Sequence, residues 1–404
     1  MTPSDHASAM GAPTELDHCP LMPTYAPPQV EFVRGDGTIL WDREGKRYLD
    51  FLTGLAVVSV GHANPEVADA INEQARTLTH VSNLFGTDVG WRVAETLDRL
   101  LGGGGQIFFS NSGAEANECA IKLARKWGGR GKHVIVSAYR SFHGRTLATL
   151  HATGQPEKHE AFQPLPEGFR HVVYDDVDEL AKAIDPSVAA ILLEPIQGEG
   201  GVNTTSVDYL AEVRRLCDER GVLLILDEVQ TGLGRTGAWF AHQHVGIVPD
   251  IVTIAKALGN GMPIGACWAR REIAASFAPG DHGSTFGGQP LAASAALATL
   301  RIMERDDLPA RAAKVGEYFQ RELAELPGVS EVRGMGLLLA IELEPGFDAK
   351  AVQATALANG LVTNAVTPTA VRFAPPLTVS GTEVDEALVI LRSALDAHRP
   401  TGDL

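Results

Sequence analysis

The sequence predicts an α/β protein: a large domain with a mostly parallel central sheet covered by helices, then a smaller α+β C-terminal domain. Three observations lead there. From about residue 65, short apolar runs alternate with stretches of helical spacing. The runs are apolar throughout and do not alternate with polar residues, which is the pattern of strands buried on both faces. After residue 290 the rhythm changes to two long helical stretches, one strand and a terminal helix. At 404 residues the chain is long enough for two cores.

Residues 1–30 are proline-rich and aperiodic, which predicts an extended arm, partly disordered at its start. Segments 31–34, 38–41 and 47–51, separated by glycine-bearing turns, read as a small strand meander. Apolar strands follow at 106–109, 133–137, 188–193, 222–226, 250–255 and 265–269, with helical spacing over 113–127 and 206–220. Beyond 290, helices are expected at 291–305 and 309–325, a strand at 336–343 and a helix at 381–396. The boundaries that result are an N-terminal arm and meander over 1–60, a large domain over 61–288 and a small domain over 289–404.

Composition narrows the class. Hydrophobic residues make up 45% and charged residues 21%, with mean hydropathy near zero, as in soluble globular proteins. A net charge of −16 repels polyphosphate backbones, and no basic stripe offsets it, so nucleic acid is excluded as a partner. Cys19, Cys119, Cys217 and Cys267 are scattered without a Cys-x-x-Cys pair, which argues against a disulfide framework or a metal site. Four such thiols suit a reducing, cytoplasmic setting. The N-terminus lacks the basic and apolar regions of a signal peptide, and no uninterrupted apolar stretch of membrane-spanning length exists. No membrane partner is expected.

Chemistry enters at two strand ends. The run Val222-Leu-Leu-Ile-Leu226 ends in Asp227-Glu228, and Ile251-Val-Thr-Ile-Ala255 delivers Lys256 into the turn Ala257-Leu-Gly-Asn-Gly261. An apolar setting disfavours the ammonium form and leaves a nucleophilic amine. A strand delivering an acid and a strand delivering a lysine suit pyridoxal 5′-phosphate (PLP): the lysine forms the Schiff base, and the aspartate keeps the ring nitrogen protonated. Either residue alone is more often an ordinary strand end.

Ser110-Asn-Ser-Gly-Ala-Glu-Ala116 joins the strand 106–109 to the next helix, where small residues let backbone N–H groups meet a phosphate at the helix N-terminus. By itself it also reads as an N-cap with an acidic first turn. Two nucleotide motifs fail. Leu223–Glu228 resembles the acidic strand of a P-loop protein, yet no Gly-x4-Gly-Lys-Ser/Thr accompanies it. Gly259-Asn-Gly261 precedes a strand, unlike a dinucleotide fingerprint.

Seven ordered motifs carry a family likeness: Asn111-Ser-Gly-Ala-Glu-Ala-Asn117, Ser141-Phe-His-Gly-Arg-Thr146, Glu194-Pro-Ile-Gln-Gly-Glu199, Leu226-Asp-Glu-Val-Gln-Thr231, Ala255-Lys-Ala-Leu-Gly259, His282-Gly-Ser-Thr-Phe-Gly-Gly288 and Arg372-Phe-Ala-Pro-Pro376. With them the chain, from about Tyr25 onward, resembles a class III aminotransferase of the ornithine/acetylornithine type, PLP fold type I. The resemblance implies that Lys256 and Asp227 are catalytic, with Lys256 joining the cofactor and moving the proton. It gives Ser112, Gly113 and Ala114 to the phosphate, Phe142 to the ring face and Gln230 to the phenolic oxygen. Thr285 is expected to reach the phosphate across a homodimer interface.

The resemblance also assigns a substrate side. Arg145 would hold the carboxylate far from the reacting amine, Arg372 the α-carboxylate of glutamate, and Glu199 would neutralise Arg372 while the donor is bound. Tyr25, Leu55 and Ser284 complete the set. Leu55 stands where ornithine-specific members carry tyrosine, and the loop His80-Val-Ser-Asn-Leu-Phe85 resembles that of acetylornithine enzymes. The implied reaction takes the δ-amino group of N2-acetyl-L-ornithine to 2-oxoglutarate. Ornithine, succinylornithine and 4-aminobutyrate stay open as donors, as does an aminomutase. Ser59 and Asn260 depart from the family pattern and bear on fine specificity.

Overall fold

The structure, a computed structural model, describes residues 21–400. The expected arm lies outside the described residues over positions 1–20, as does Cys19.

Seven strands build the central sheet: β4 (Gly105–Ser110), β5 (Val134–Ala138), β6 (Phe169–Val172), β7 (Val188–Leu193), β8 (Leu223–Asp227), β9 (Ile251–Ile254) and β10 (Gly265–Arg270), following β1 (Phe32–Asp36), β2 (Ile39–Asp42) and β3 (Arg47–Asp50) of a separate sheet. Their order is β4-β10-β9-β8-β7-β5-β6. Only β10 runs antiparallel to its neighbours; the pairs β9–β8, β8–β7, β7–β5 and β5–β6 are parallel. Because β10 is antiparallel to both β4 and β9, those two share a direction. The C-terminal ends of β4, β5, β7, β8 and β9 therefore open on one edge, where open α/β sheets bind ligands.

Every residue of β7 and β8 is buried, because both faces are covered. Ile191, Leu193, Leu224 and Leu226 meet Leu180, Val213 and Leu216 from helices Val177–Ala183 and Tyr209–Arg220. The alternate residues Ala190, Leu192, Leu223 and Ile225 meet Cys119, Ala120, Leu123 and Ala124 of helix Gly113–Gly128. Period-two alternation thus feeds two apolar layers, and no polar strand face is left for sequence to show.

The second sheet, in the order β11-β12-β15-β14, comprises β11 (Val329–Met335), β12 (Leu338–Leu343), β14 (Asn364–Ala365) and β15 (Ala370–Phe373), with β13 (Leu361–Val362) between them in sequence. The strand expected over 336–343 is the second arm of a hairpin. Gly336 sits in its turn at φ 57°, where a Cβ would lie 2.5 Å from the Thr236 carbonyl carbon. The β1–β2–β3 meander does not stand alone: β13 pairs in parallel with β3. Helix Pro290–Arg305 buries Ala292, Ala296 and Leu300 in one cluster with Val93, Leu97 and Trp268.

Candidate active site

Four strand ends and one helix start converge on a cavity of about 380 Å³, lined among others by Ser112, Gly113, Ala114, Asn117, Phe142, His143, Arg145, Glu194, Glu199, Asp227, Gln230 and Lys256. Glu194 directly follows β7, Asp227 closes β8, and Lys256 stands two residues past β9. The loop after β5 supplies Phe142, His143 and Arg145.

Lys256 holds φ at 43°, in the left-handed region that non-glycine residues seldom adopt. Asn260 fixes the far side of that turn, also left-handed at φ 46°. Its Oδ1 accepts from the Val60 N–H at 3.0 Å and its Nδ2 donates to the Gly61 carbonyl at 3.1 Å. Asn260 thus clamps residues 60 and 61 to the lysine turn. Desolvation pushes the Lys256 amine below its ordinary value; Glu199 opposes the shift and Arg372 adds to it.

Asp227 is held by three donors. Its Oδ2 accepts from Asn117 Nδ2 at 2.7 Å and faces His143 Nδ1 at 2.8 Å; its Oδ1 accepts from the Val229 N–H at 3.1 Å. Beside it, Glu194 accepts from the Phe142 N–H at 2.9 Å. Burial, reinforced by the nearby Asp227 charge, pushes the Glu194 carboxyl well above its ordinary value.

Helix Gly113–Gly128 starts at the cavity. Ser112 is its N-cap, with Oγ accepting from the Glu115 N–H at 3.2 Å. The capping role and the predicted phosphate role thus fall on one residue, and the N–H groups of Gly113 and Ala114 are first-turn donors free of intrahelical bonds. At Gly113 an added Cβ would lie 2.8 Å from Val229 Cγ1.

Arg372, on β15, reaches across from the second sheet. Its Nη1 donates to Glu199 Oε1 at 2.6 Å, to the Gly198 carbonyl at 3.1 Å and to Gln230 Oε1 at 3.2 Å; Nη2 donates to Asn364 Oδ1 at 2.8 Å. Burial works to raise the Glu199 carboxyl, but the Arg372 and Lys256 charges outweigh it and hold it below its ordinary value. Glu199 and Gln230 line the cavity, with Arg372 behind them. Arg145 is exposed, its guanidinium carbon 5.4 Å from the centre of the Phe142 ring.

Four expected positions lie elsewhere. Tyr25 is 88% exposed and Leu55 41% exposed, and neither lines this cavity. Leu55 takes φ 71°, which turns it away from a regular helix. Thr285 lines a second cavity of about 400 Å³ with His80, Asn83, Phe85 and Trp91. Ser284 Oγ accepts from Asn111 Nδ2 at 3.3 Å and from the Gly287 N–H at 2.9 Å. Sequence reasoning quoted Asn117, His143 and Glu194 inside motifs but gave them no part. Their only signal was a polar residue at a buried position, which becomes visible once the elements are placed.

The chain belongs to the class III aminotransferases: residues 22–395 match the family described as Aminotransferase class-III. It is 47% identical to an acetylornithine aminotransferase of Caldanaerobacter subterraneus subsp. tengcongensis over 388 residues, covering 94% of this chain and 98% of that one. It is 49% identical to the acetylornithine aminotransferase of Gloeobacter violaceus over 380 residues, covering 92% and 94%. Among solved structures it resembles the ornithine aminotransferase of Toxoplasma gondii, with TM-score 0.89, 36% identity and coverage of 94% and 92%. A thermostable (S)-enantioselective ω-transaminase from Thermomicrobium roseum gives TM-score 0.88 and 35% identity, covering 93% and 94%.

The family's cofactor is PLP, and the residues present fit it. The cavity is of a size that takes a cofactor. It joins a helix N-terminus for an anion, a buried carboxylate for a ring N–H, and a desolvated amine.

Proposed function

We propose that the chain transfers the δ-amino group of N2-acetyl-L-ornithine to 2-oxoglutarate, yielding N-acetylglutamate 5-semialdehyde and L-glutamate, in arginine biosynthesis. The observation that carries this reading is the Arg372–Glu199 ion pair set behind a cavity that also holds Lys256 and Asp227. Transamination between an ω-amine and an α-oxo acid needs a carboxylate site that can be opened and closed. A guanidinium grips a carboxylate through two parallel hydrogen bonds. An unpaired buried one is costly, so a retractable acid partner lets one site serve both substrates. An aminomutase, which returns the amino group to the same skeleton, has no such need of 2-oxoglutarate. The acetylated donor is favoured over other ω-amines by likeness to acetylornithine aminotransferases across almost the whole chain.

PLP, when bound, supplies an aldehyde carbon for the donor nitrogen and a ring that takes up electrons. Ser112, Gly113 and Ala114 hold the phosphate, Asp227 the ring nitrogen, Gln230 the phenolic oxygen, and Phe142 packs on the ring. Lys256 Nζ, whose ammonium form desolvation disfavours, takes the proton from the donor's δ-carbon. In the second half-reaction it delivers a proton to the α-carbon that becomes glutamate. Arg145 holds the donor's distant carboxylate. Glu199 covers Arg372 during the donor half-reaction and withdraws when 2-oxoglutarate brings its own α-carboxylate. Tyr25, Leu55 and Ser284 shape the donor entrance in this reading.

A homodimer goes with it, each site taking the phosphate contact from Thr285 of the partner subunit. Leu84, Phe85, Trp91 and Phe286 are exposed apolar residues around the cavity that Thr285 lines, and Phe85 and Trp91 are each 70% exposed. Such a cluster is expected to be covered by protein. Buried free thiols at Cys119, Cys217 and Cys267 suit the cytoplasm. No helix among the described residues is long and apolar enough to cross a membrane.

The test is a spectral titration of the PLP-loaded enzyme with each amine, in the absence of any oxo acid. Acetylornithine should discharge the cofactor band fastest. A faster reaction with ornithine, succinylornithine or 4-aminobutyrate would overturn the donor and leave the chemistry standing.

A further inference from the structure

Behind Asp227 lies a chain of buried side chains that the transamination reading leaves without a task. Asn117 Nδ2 donates to Asp227 Oδ2 at 2.7 Å and to the His143 carbonyl at 2.8 Å, which commits both hydrogens of the amide. Thr253 Oγ1 donates to Asn117 Oδ1 at 2.8 Å. Residue exposures are 1% for Asn117, 0% for Thr253, 2% for His143 and 4% for Asp227, so water cannot stand in for any of these bonds. Turned the other way, the Asn117 amide would set its carbonyl oxygen against both the Asp227 carboxylate and the His143 carbonyl. The amide orientation is therefore fixed from both ends.

The same chain ties three elements that carry the site. Thr253 is the register partner of Asp227 across β8 and β9, three residues before Lys256. Asn117 lies one turn into the helix whose start holds Ser112, Gly113 and Ala114. One amide thus sets the acid relative to the lysine strand and to the helix start. Either element could be packed without a polar bridge, since β9 and this helix face each other through apolar residues such as Ile251, Ala120 and Ala124. A buried polar chain at this one point is what needs a reason.

We propose that Asn117 and Thr253 are positioning residues for the contact between Asp227 and the cofactor ring nitrogen: the Thr253 hydroxyl orients the Asn117 amide, and the amide holds the Asp227 carboxylate. The proposal rests on the aminotransferase reading above. Thr253→Val keeps shape and burial and removes only the hydroxyl, whereas Thr253→Ser keeps the hydroxyl. Asn117→Asp keeps volume and sets an acceptor against Asp227.

Three quantities are measured for each variant: the PLP dissociation constant of the cofactor-free protein, the pH midpoint of the bound-cofactor absorbance change, and the thermal midpoint. Thr253→Val should weaken PLP binding about tenfold, the worth of one buried hydrogen bond to a charged network, and displace the absorbance midpoint. Thr253→Ser should restore both, and Asn117→Asp should weaken binding further. Unchanged PLP affinity and absorbance in Thr253→Val, with only the thermal midpoint lowered, would overturn the proposal and leave a structural bridge. Should Thr253→Val not fold, Asn117→Asp decides by the same two cofactor readouts. A wild-type protein that takes up no PLP would overturn the aminotransferase reading itself, and this proposal with it.

Discussion

Arg372 and Glu199 form an unequal pair: the guanidinium is 1% exposed and anchored, whereas the carboxylate side chain is 29% exposed and faces the cavity. Arg372 keeps the Gly198 carbonyl, Gln230 and Asn364 as partners if Glu199 leaves. The arginine is thus the fixed part and the glutamate the movable one. Glu199→Gln removes the charge that neutralises Arg372. It should shift the ratio of kcat/KM for donor and glutamate half-reactions toward glutamate by about ten- to a hundredfold. Single-turnover kinetics of both half-reactions check this; an unchanged ratio would end the gating idea.

Lys256 makes a prediction about pH. Desolvation lowers its amine from the model-compound value of 10.5, so the nucleophilic neutral form persists at lower pH than for a solvated lysine. The rate at which cofactor-free protein takes up PLP should therefore level off below pH 10.5 as pH rises. Lys256→Ala should bind PLP without covalent attachment and lose turnover altogether. A rate still climbing through pH 10.5 would mean that the amine is solvated.

The exposed side chains Phe85 and Trp91 test assembly. Placing a charge at each, Phe85→Glu with Trp91→Glu, opposes burial of a face that together is worth several kcal/mol, at roughly 1.5–3 kcal/mol per large side chain. Light scattering should show a dimer for the wild-type protein and a monomer for the double variant. The monomer should bind PLP more weakly, since Thr285 then has no partner site to reach. A double variant that stays dimeric would place the interface elsewhere.

What was legible in the sequence, and what was not, follows from burial. β7 and residues 223–226 of β8 announced themselves because each residue is apolar, and Asp227 and Lys256 because charge ends the runs of β8 and β9. The edge strands β6 and β11 did not. β6 (Phe-Arg-His-Val) and β11 carry polar residues on their open side and match no simple period. The β3–β13 pairing joins Leu49 to Leu361, a contact between distant parts of the chain that no local pattern carries. At the site, motif letters gave the residue types without their distances. Gln230 turned out bonded to Arg372, and Tyr25 and Leu55 lie outside the main cavity.

Arg235, in the loop after β8, reaches the ends of β12 and β15. It is 1% exposed, and its guanidinium donates to the Leu337 carbonyl at 3.2 Å, to the Pro375 carbonyl and to Ser59 Oγ at 3.1 Å. Ser59 is thus a buried acceptor for this arginine. Arg235→Ala should cost about 3–5 kcal/mol, because it strands three buried acceptors and leaves a cavity. Chemical denaturation of the PLP-loaded protein measures the loss. A change under 1 kcal/mol would mean that water replaces the side chain there.

His171 gives the clearest dependence of stability on pH. On β6 its Nε2 donates to the His151 carbonyl at 2.9 Å, and its ring packs among Tyr139, His151 and His159. Burial pushes the imidazole down from 6.5 to about 4, with neighbouring histidines adding to the shift. Between those values the unfolded chain binds a proton that the folded one refuses. Stability is therefore complete above pH 6.5 and falls as the pH drops toward 4. A shift of this size corresponds to about 3 kcal/mol at the acid end of the window. His171→Gln keeps a donor for the His151 carbonyl and removes the titration. Its unfolding free energy should fall less than that of the wild-type protein between pH 7.5 and pH 4.5, by about 2.5 kcal/mol. Parallel pH profiles for the two proteins would show that His171 titrates as a solvated histidine.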